Sequence, residues 1–124
     1  MNGIEFIIDT NAILYSINDN PCMAEYLDSE CGISIITEME LLSFRNITEE
    51  EENVIRRIVE KCEYFSLTKA IKEKAIVIRR KYGTKLPDSI VAATAICNNV
   101  PLITADKGFL KIKELNLILL EPTA

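Results

Sequence analysis

The chain of 124 residues carries 19 acidic and 14 basic side chains, no histidine and no tryptophan, and is 48% hydrophobic and 27% charged. A chain of this length is expected to form one domain over residues 1–124 that buries roughly two-thirds of its unfolded surface, enough to fold without disulfides or a structural metal. Without an imidazole there is no Ser-His-Asp or Cys-His triad and no histidine general base. Most zinc sites are also excluded, so any chemistry falls to carboxylates, hydroxyls, amines or thiols.

Short apolar runs recur along the chain at residues 4–8, 33–36, 64–67, 102–103 and 115–120. Each has strand length, and several are apolar on both alternating faces, as in a parallel sheet covered on both sides by helices. Between them lie helical patterns. Thr37-Glu38-Met39-Glu40 and Thr48-Glu49-Glu50-Glu51 both fit a capping box, in which a threonine hydroxyl and a glutamate three residues on satisfy free backbone amides. After the second box, Val54, Ile55, Ile58, Val59 and Cys62 mark one helical face. Ile71, Ala75, Ile78 and Tyr82 mark the next helix, which Gly83 should stop. Pro87 suits the first turn of a helix through Ile90, Val91, Ala93, Thr94 and Cys97, ending near Asn98 and Asn99. Strands alternating with helices of this length predict βαβ units with right-handed crossovers and an α/β fold, a three-layer α/β/α sandwich around a central parallel sheet.

The N-terminus lacks a basic segment followed by a long apolar one, so no secretory leader is expected. The longest apolar run, residues 90–97, falls far short of the ~20 residues that span a bilayer. A cytoplasmic protein without membrane attachment is expected. The four cysteines, Cys22, Cys31, Cys62 and Cys97, form no C-x-x-C pair, and reduced, buried thiols are the expectation. Charge is uneven: residues 1–60 hold 13 acids and 3 bases, whereas residues 61–124 hold 6 acids and 11 bases. The net charge of −5 argues against a general nucleic-acid coat, while the second half can still present a local positive face. Most of Lys69, Lys72, Lys74, Arg79, Arg80, Lys81 and Lys85 are expected to be solvated. Some of them, with Lys107, Lys111 and Lys113, could contact phosphates.

In doubly wound folds, sites form at the carboxyl ends of the strands. Asp9 directly follows the first apolar run, and Asp106 follows Leu102-Ile103-Thr104 by two residues. Glu40 lies just after the second run, and Asp88 lies in the first turn of the Pro87 helix. Each has a purely structural alternative. Asp9 could cap the helix at Asn11, and Asp106 could be a turn or cap residue. Glu40 could be the last member of its capping box, and Asp88 could answer a helix dipole. Four converging carboxylates without a histidine or cysteine partner would repel one another, and hard, oxygen-loving cations are the usual remedy.

Four segments carry a resemblance. Phe6-Ile7-Ile8-Asp9-Thr10-Asn11, then Ser34-Ile35-Ile36-Thr37 with Glu40-Leu41-Leu42, resemble the first two motifs of PIN-domain ribonucleases. Leu86-Pro87-Asp88-Ser89-Ile90-Val91-Ala92-Ala93-Thr94-Ala95 resembles the third, and Leu102-Ile103-Thr104-Ala105-Asp106-Lys107-Gly108-Phe109 the fourth. The order and total length are similar to those of single-domain VapC-type toxins of type II toxin–antitoxin systems. The resemblance implies a Mg²⁺- or Mn²⁺-dependent endoribonuclease acting on single-stranded or structured RNA and leaving 5′-phosphate and 3′-hydroxyl ends. It implies Asp9, Glu40, Asp88 and Asp106 as catalytic and metal-binding residues. Glu38 is then a solvated first-turn acid, while Asn11 and Thr104 orient ligands or phosphate by hydrogen bonds. One departure is that many relatives carry a further acid where this chain has Gly108.

The resemblance further implies a homodimer that binds a small antitoxin protein. Ile13, Leu14, Tyr15 and Ile17 of the first helix could serve that interface, although core is the expectation for most of them. Two competing readings remain open. One is a PIN-like domain without activity that binds protein or RNA. The other is a response-regulator receiver, which would need an aspartate after its middle strand, where residues 63–68 end in Ser66-Leu67-Thr68.

Overall fold

A computed structural model describes residues 3–123. Its five strands are β1 (Phe6–Ile8), β2 (Cys31–Ser34), β3 (Glu63–Phe65), β4 (Leu102–Thr104) and β5 (Leu117–Leu119). They form one sheet in the order β3-β2-β1-β4-β5, with every pairing parallel. The helices are α1 (Thr10–Ile17), α2 (Ile35–Leu42), α3 (Glu49–Lys61), α4 (Lys69–Tyr82) and α5 (Leu86–Cys97), with 3₁₀ turns at Pro21–Tyr26 and Lys107–Lys111.

Strand alternation builds the expected three layers. Ile7 and Leu102 face a core completed by Ile71, Ala75 and Ile78 of α4, Val91 and Ala95 of α5, and Phe109. Their neighbours Phe6, Ile8 and Ile103 face the opposite core with Ile13 of α1, Leu41 of α2, Ile55 of α3 and Met23. Ile13 is buried there, and Leu14, Tyr15 and Ile17 are half-buried against the same cluster. Gly32 of β2 lets its neighbours pack this closely, because a Cβ would come within 2.6 Å of the Phe65 ring and 2.8 Å of Ile7 Cδ1 and would force those side chains to shift. Helix α4 ends as expected at Gly83, whose φ of 68° is the left-handed C-cap conformation that glycine adopts without steric cost.

Two local expectations are corrected. The apolar run at 33–36 is not all strand: β2 ends at Ser34, and Ile35 and Ile36 already belong to α2. The Ser34 hydroxyl accepts from the Ile36 amide at 3.1 Å, so it caps the helix. The capping box at Thr37–Glu40 therefore does not exist. Thr37 is a buried residue in the first turn of a helix that has already begun, and its hydroxyl finds no partner among the described residues. The second box is present, with reciprocal Thr48 and Glu51 bonds of 3.1 and 3.0 Å.

The four cysteines are free, but none is fully buried and Cys97 is exposed. Cys31 opens β2 and Cys62 closes α3, and their sulfurs lie 3.3 Å apart. Among the described residues no helix is long and apolar enough to cross a membrane.

The chain steps outward from β1 through β2 to β3, then crosses back to place β4 on the other side of β1. The switch point of the sheet thus lies between β1 and β4, where doubly wound folds open a crevice at the strand carboxyl ends. Receiver domains share the doubly wound architecture with order 2-1-3-4-5. Here β3 is an edge strand instead.

Candidate active site

Asp9 directly follows β1 and Thr104 ends β4, the two strands that flank this switch point. Asp9 occupies the N-cap position of α1 yet makes no cap bond with its side chain, so the capping alternative fails. Its carboxylate turns to β4, where the Thr104 hydroxyl donates to Oδ2 at 2.7 Å. The same hydroxyl oxygen accepts from the Asp106 amide at 3.0 Å and from Asn11 Nδ2 at 3.2 Å. Asn11 Oδ1 in turn accepts from the Ala105 amide at 2.9 Å. Asn11 and Thr104 thereby tie the start of α1 to the end of β4, fixing Asp9 and Asp106 relative to each other.

Glu40 lies one turn further along α2 than a capping box would place it, and its Oε1 accepts from the Thr10 hydroxyl at 2.7 Å. Glu38 is half-buried and accepts from the Tyr64 hydroxyl at 2.8 Å. It is therefore partnered instead of simply solvated. Asp88 sits in the first turn of α5, as expected. Asp106 has both features read from its position. It caps the 3₁₀ turn, Oδ1 accepting from the Gly108 amide at 2.8 Å, and it belongs to the acidic group. A Cβ at Gly108 would stand 3.0 Å from that oxygen, so a further acid at position 108 would crowd Asp106.

The electrostatics show that the carboxylates feel one another. Asp9 is 7% exposed, and burial, with the charges of Glu40 and Asp88 adding to it, pushes its carboxyl up to about 6 against the bonds from Thr104 and the Thr10 amide. Asp88 is likewise raised, first by burial and then by Asp106 and Glu40, with Lys85 and Lys111 opposing. A cleft of about 320 Å³ beside Asp88 and Asp106 is lined also by Gly83, Lys85, Gly108 and Lys111.

Among the described residues no three acidic or thiol side chains close around a common point as a ready cation cage. The donor set nonetheless fits a hard cation. It is all oxygen, it holds a buried acid whose ionisation is opposed by its neighbours, and it is loosely spaced. Mg²⁺ keeps several waters and binds through one or two carboxylates plus substrate phosphates instead of a complete protein cage.

A PIN domain model matches residues 6–115. The chain belongs to the PIN domain family. Members of this family are generally nucleases that use divalent metal ions. A chain from a toxin–antitoxin complex of Klebsiella pneumoniae superposes with a TM-score of 0.76 at 26% identity, covering 89% of this chain and 94% of that one. VapBC2 from Rickettsia felis, bound to a DNA fragment from its promoter, gives 0.81 at 21% identity, covering 94% and 98%. DNA-bound VapBC from Salmonella typhimurium gives 0.80 at 20% identity, covering 92% and 96%. The last two likenesses bear on the fold alone. No match was found among curated protein sequences.

Three participants in this PIN domain's site carry little signal in the sequence. Thr10 carries the Glu40 contact, and its only signal was its place beside Asp9. Ser34 starts α2, a role hidden because the apolar run continues past it. The Gly108 amide holds Asp106, which nothing short of the turn geometry reveals.

Proposed function

We propose that this PIN domain is a divalent-metal-dependent endoribonuclease. It hydrolyses phosphodiester bonds of single-stranded or structured RNA in the cytoplasm, as the toxin of a toxin–antitoxin pair. Asp9, Glu40, Asp88 and Asp106 would hold Mg²⁺ or Mn²⁺. The observation that carries the reading is Asp9: a buried carboxylate at the sheet switch point, faced by Glu40 and Asp88, and fixed by hydroxyl and amide donors. An isolated structural aspartate would be expected to cap its helix, and this one does not.

A bound divalent cation would neutralise a phosphate oxygen and lower the pKa of a water that attacks in line. The residues of the chain supply the rest. Thr104 and Asn11 lock the Asp9 carboxylate in one orientation, as outer hydrogen-bond partners do for ligating groups. Thr10 orients Glu40, and the Gly108 amide orients Asp106. Neither a histidine nor the 2′-hydroxyl of the RNA is needed as nucleophile, and the products would carry 5′-phosphate and 3′-hydroxyl ends.

The likeness to the Klebsiella toxin–antitoxin complex supports a small antitoxin protein as partner, and the VapC-type resemblance supports a homodimer. Cleavage of single-stranded RNA in Mn²⁺, abolished by EDTA and by Asp9→Asn, tests the reading. Intact RNA under all these conditions would identify a binding module without activity.

A further inference from the structure

Outside the four acids and their hydrogen-bond partners, the cleft beside Asp88 and Asp106 presents two lysines, Lys85 and Lys111. Both are exposed, and both reach Asp88 electrostatically. Yet among the described residues neither forms an ion pair, the two bridges present being Arg56 with Glu52 and Lys81 with Glu114. The charge around the acids is therefore lopsided. Asp9 has only the acids Glu40 and Asp88 as charged neighbours acting on it, whereas Asp88 has the acids Asp106 and Glu40 and, opposing them, Lys85 and Lys111.

Lys85 also breaks a local rule. It occupies the N-cap of α5 and makes no cap bond with its side chain. That position favours Ser, Thr, Asp or Asn, and the positive end of the helix dipole disfavours a cation. A residue that weakens its own helix start is a marker of a site, because natural sequences violate local preferences chiefly where function requires it. The cleft, at about 320 Å³, lies at the small end of ligand pockets, which begin at about 300 Å³.

We propose that Lys85 and Lys111 form a second phosphate subsite, which grips the phosphodiester next to the one presented to the four carboxylates. The inference rests on the ribonuclease reading and sharpens it: productive substrates carry at least two consecutive phosphodiesters. The strand runs past the acids toward the Lys85–Lys111 side. The two lysines are positioning residues, setting the register of the backbone without touching the reacting atoms. Because they bind phosphate and not bases, they add affinity without sequence preference.

The test compares wild type, Lys85→Gln/Lys111→Gln, Lys85→Arg/Lys111→Arg and a control Lys72→Gln on the exposed face of α4. The first readout is affinity for a short fluorescent single-stranded RNA across a monovalent-salt series in Mn²⁺, each variant carrying Asp106→Asn to silence cleavage. Loss of the grip on that one phosphodiester should weaken binding roughly tenfold and flatten the slope of log affinity against log salt by about 0.7, the value per phosphate neutralised. The arginine pair should retain both values, and Lys72→Gln should resemble wild type.

The second readout is kcat/KM without the silencing change, for a trinucleoside diphosphate against a dinucleoside monophosphate. The preference for the longer substrate should fall roughly tenfold in the glutamine pair, through KM more than kcat. Equal losses on both substrates, or an unchanged salt slope, would overturn the subsite. Absence of any cleavage by wild type would instead count against the ribonuclease reading, and the affinity series would still decide whether the lysines hold phosphate.

Discussion

The Thr104 hydroxyl reaches Asp9 across 95 positions of sequence and donates to its carboxylate at 2.7 Å, while its oxygen accepts from the Asp106 amide at 3.0 Å. One buried hydroxyl thus serves two of the four acids. Thr104→Val keeps the shape but leaves a buried carboxylate and an amide without this partner, so it should cost about 1–3 kcal/mol of stability. Cleavage should fall as well, and Thr104→Ser should restore most of both. Denaturant unfolding and RNA cleavage on the three proteins check this. A fully active and fully stable Thr104→Val protein would show that the bond is incidental.

Asp9 makes the metal-free protein sensitive to pH in a defined direction. Its carboxyl titrates near 3.8 when unfolded and is pushed up to about 6 when folded. The native state therefore holds its proton more tightly, and stability is lost as pH rises from about 3.8 through 6. The penalty is fully present above 6, at roughly 3 kcal/mol from about 1.36 kcal/mol per pH unit. In EDTA, Asp9→Asn should match wild type near pH 4 and exceed it by up to that amount at pH 7. Urea unfolding of both proteins across this range measures the gap, and a gap that does not widen with pH would contradict the assigned cause.

Divalent metal should act on the same penalty from the other side. A cation that binds only the folded state stabilises it by about 2.7 kcal/mol at a hundredfold excess over Kd. Mn²⁺ should therefore raise the melting temperature of wild type. Asp88→Asn should melt higher than wild type in EDTA, because one repelling charge is gone, and should gain less from Mn²⁺. Melting curves of both proteins with and without metal check this. Identical responses would argue against a shared carboxylate site.

The Thr37 hydroxyl, buried in α2 without a partner among the described residues, gives a test independent of the active site. Thr37→Val replaces it with a methyl group of the same shape and should raise stability by about 1 kcal/mol, because an unsatisfied buried hydroxyl no longer has to be desolvated. Unfolding measurements decide this, and a loss of stability would mean that the hydroxyl has a partner in solution.

Much of this architecture is legible in the sequence where one physical signal dominates. The run ending at Ile8 is apolar on both faces and is followed at once by Asp9, so a buried central strand with an acid at its end could be read directly. Thr48 and Glu51 marked the start of α3, and Gly83 the end of α4, because caps depend on neighbours in sequence. The boundary of β2 was misplaced because Ile35 and Ile36 are as apolar as Ile33. Only the Ser34 hydroxyl on the Ile36 amide separates strand from helix.

Thr37-Glu38-Met39-Glu40 had the spacing of a capping box but lay inside a helix that had already begun. Asp9 and Asp106 could be picked out beside strand ends, and Glu40 and Asp88 from their places in the helices that follow. The contacts that orient them could not, since Thr10 with Glu40 and Thr104 with Asp9 depend on how separate elements pack. The same holds for Cys31 and Cys62, which β2 and the end of α3 bring within 3.3 Å although 31 residues separate them.

The central claim is that the acids act as one site for metal-dependent RNA cleavage. It is tested most directly by a double-mutant cycle in Mn²⁺ on wild type, Asp9→Asn, Asp88→Asn and the double variant, each confirmed folded by its melting curve. Residues that act as a unit are strongly non-additive in catalysis. The account predicts that each single variant loses cleavage by at least roughly a hundredfold, on the order of removing one key electrostatic group, and that the double variant is little worse than either. Losses that multiply, or a single variant that still cleaves at the wild-type rate, would contradict it.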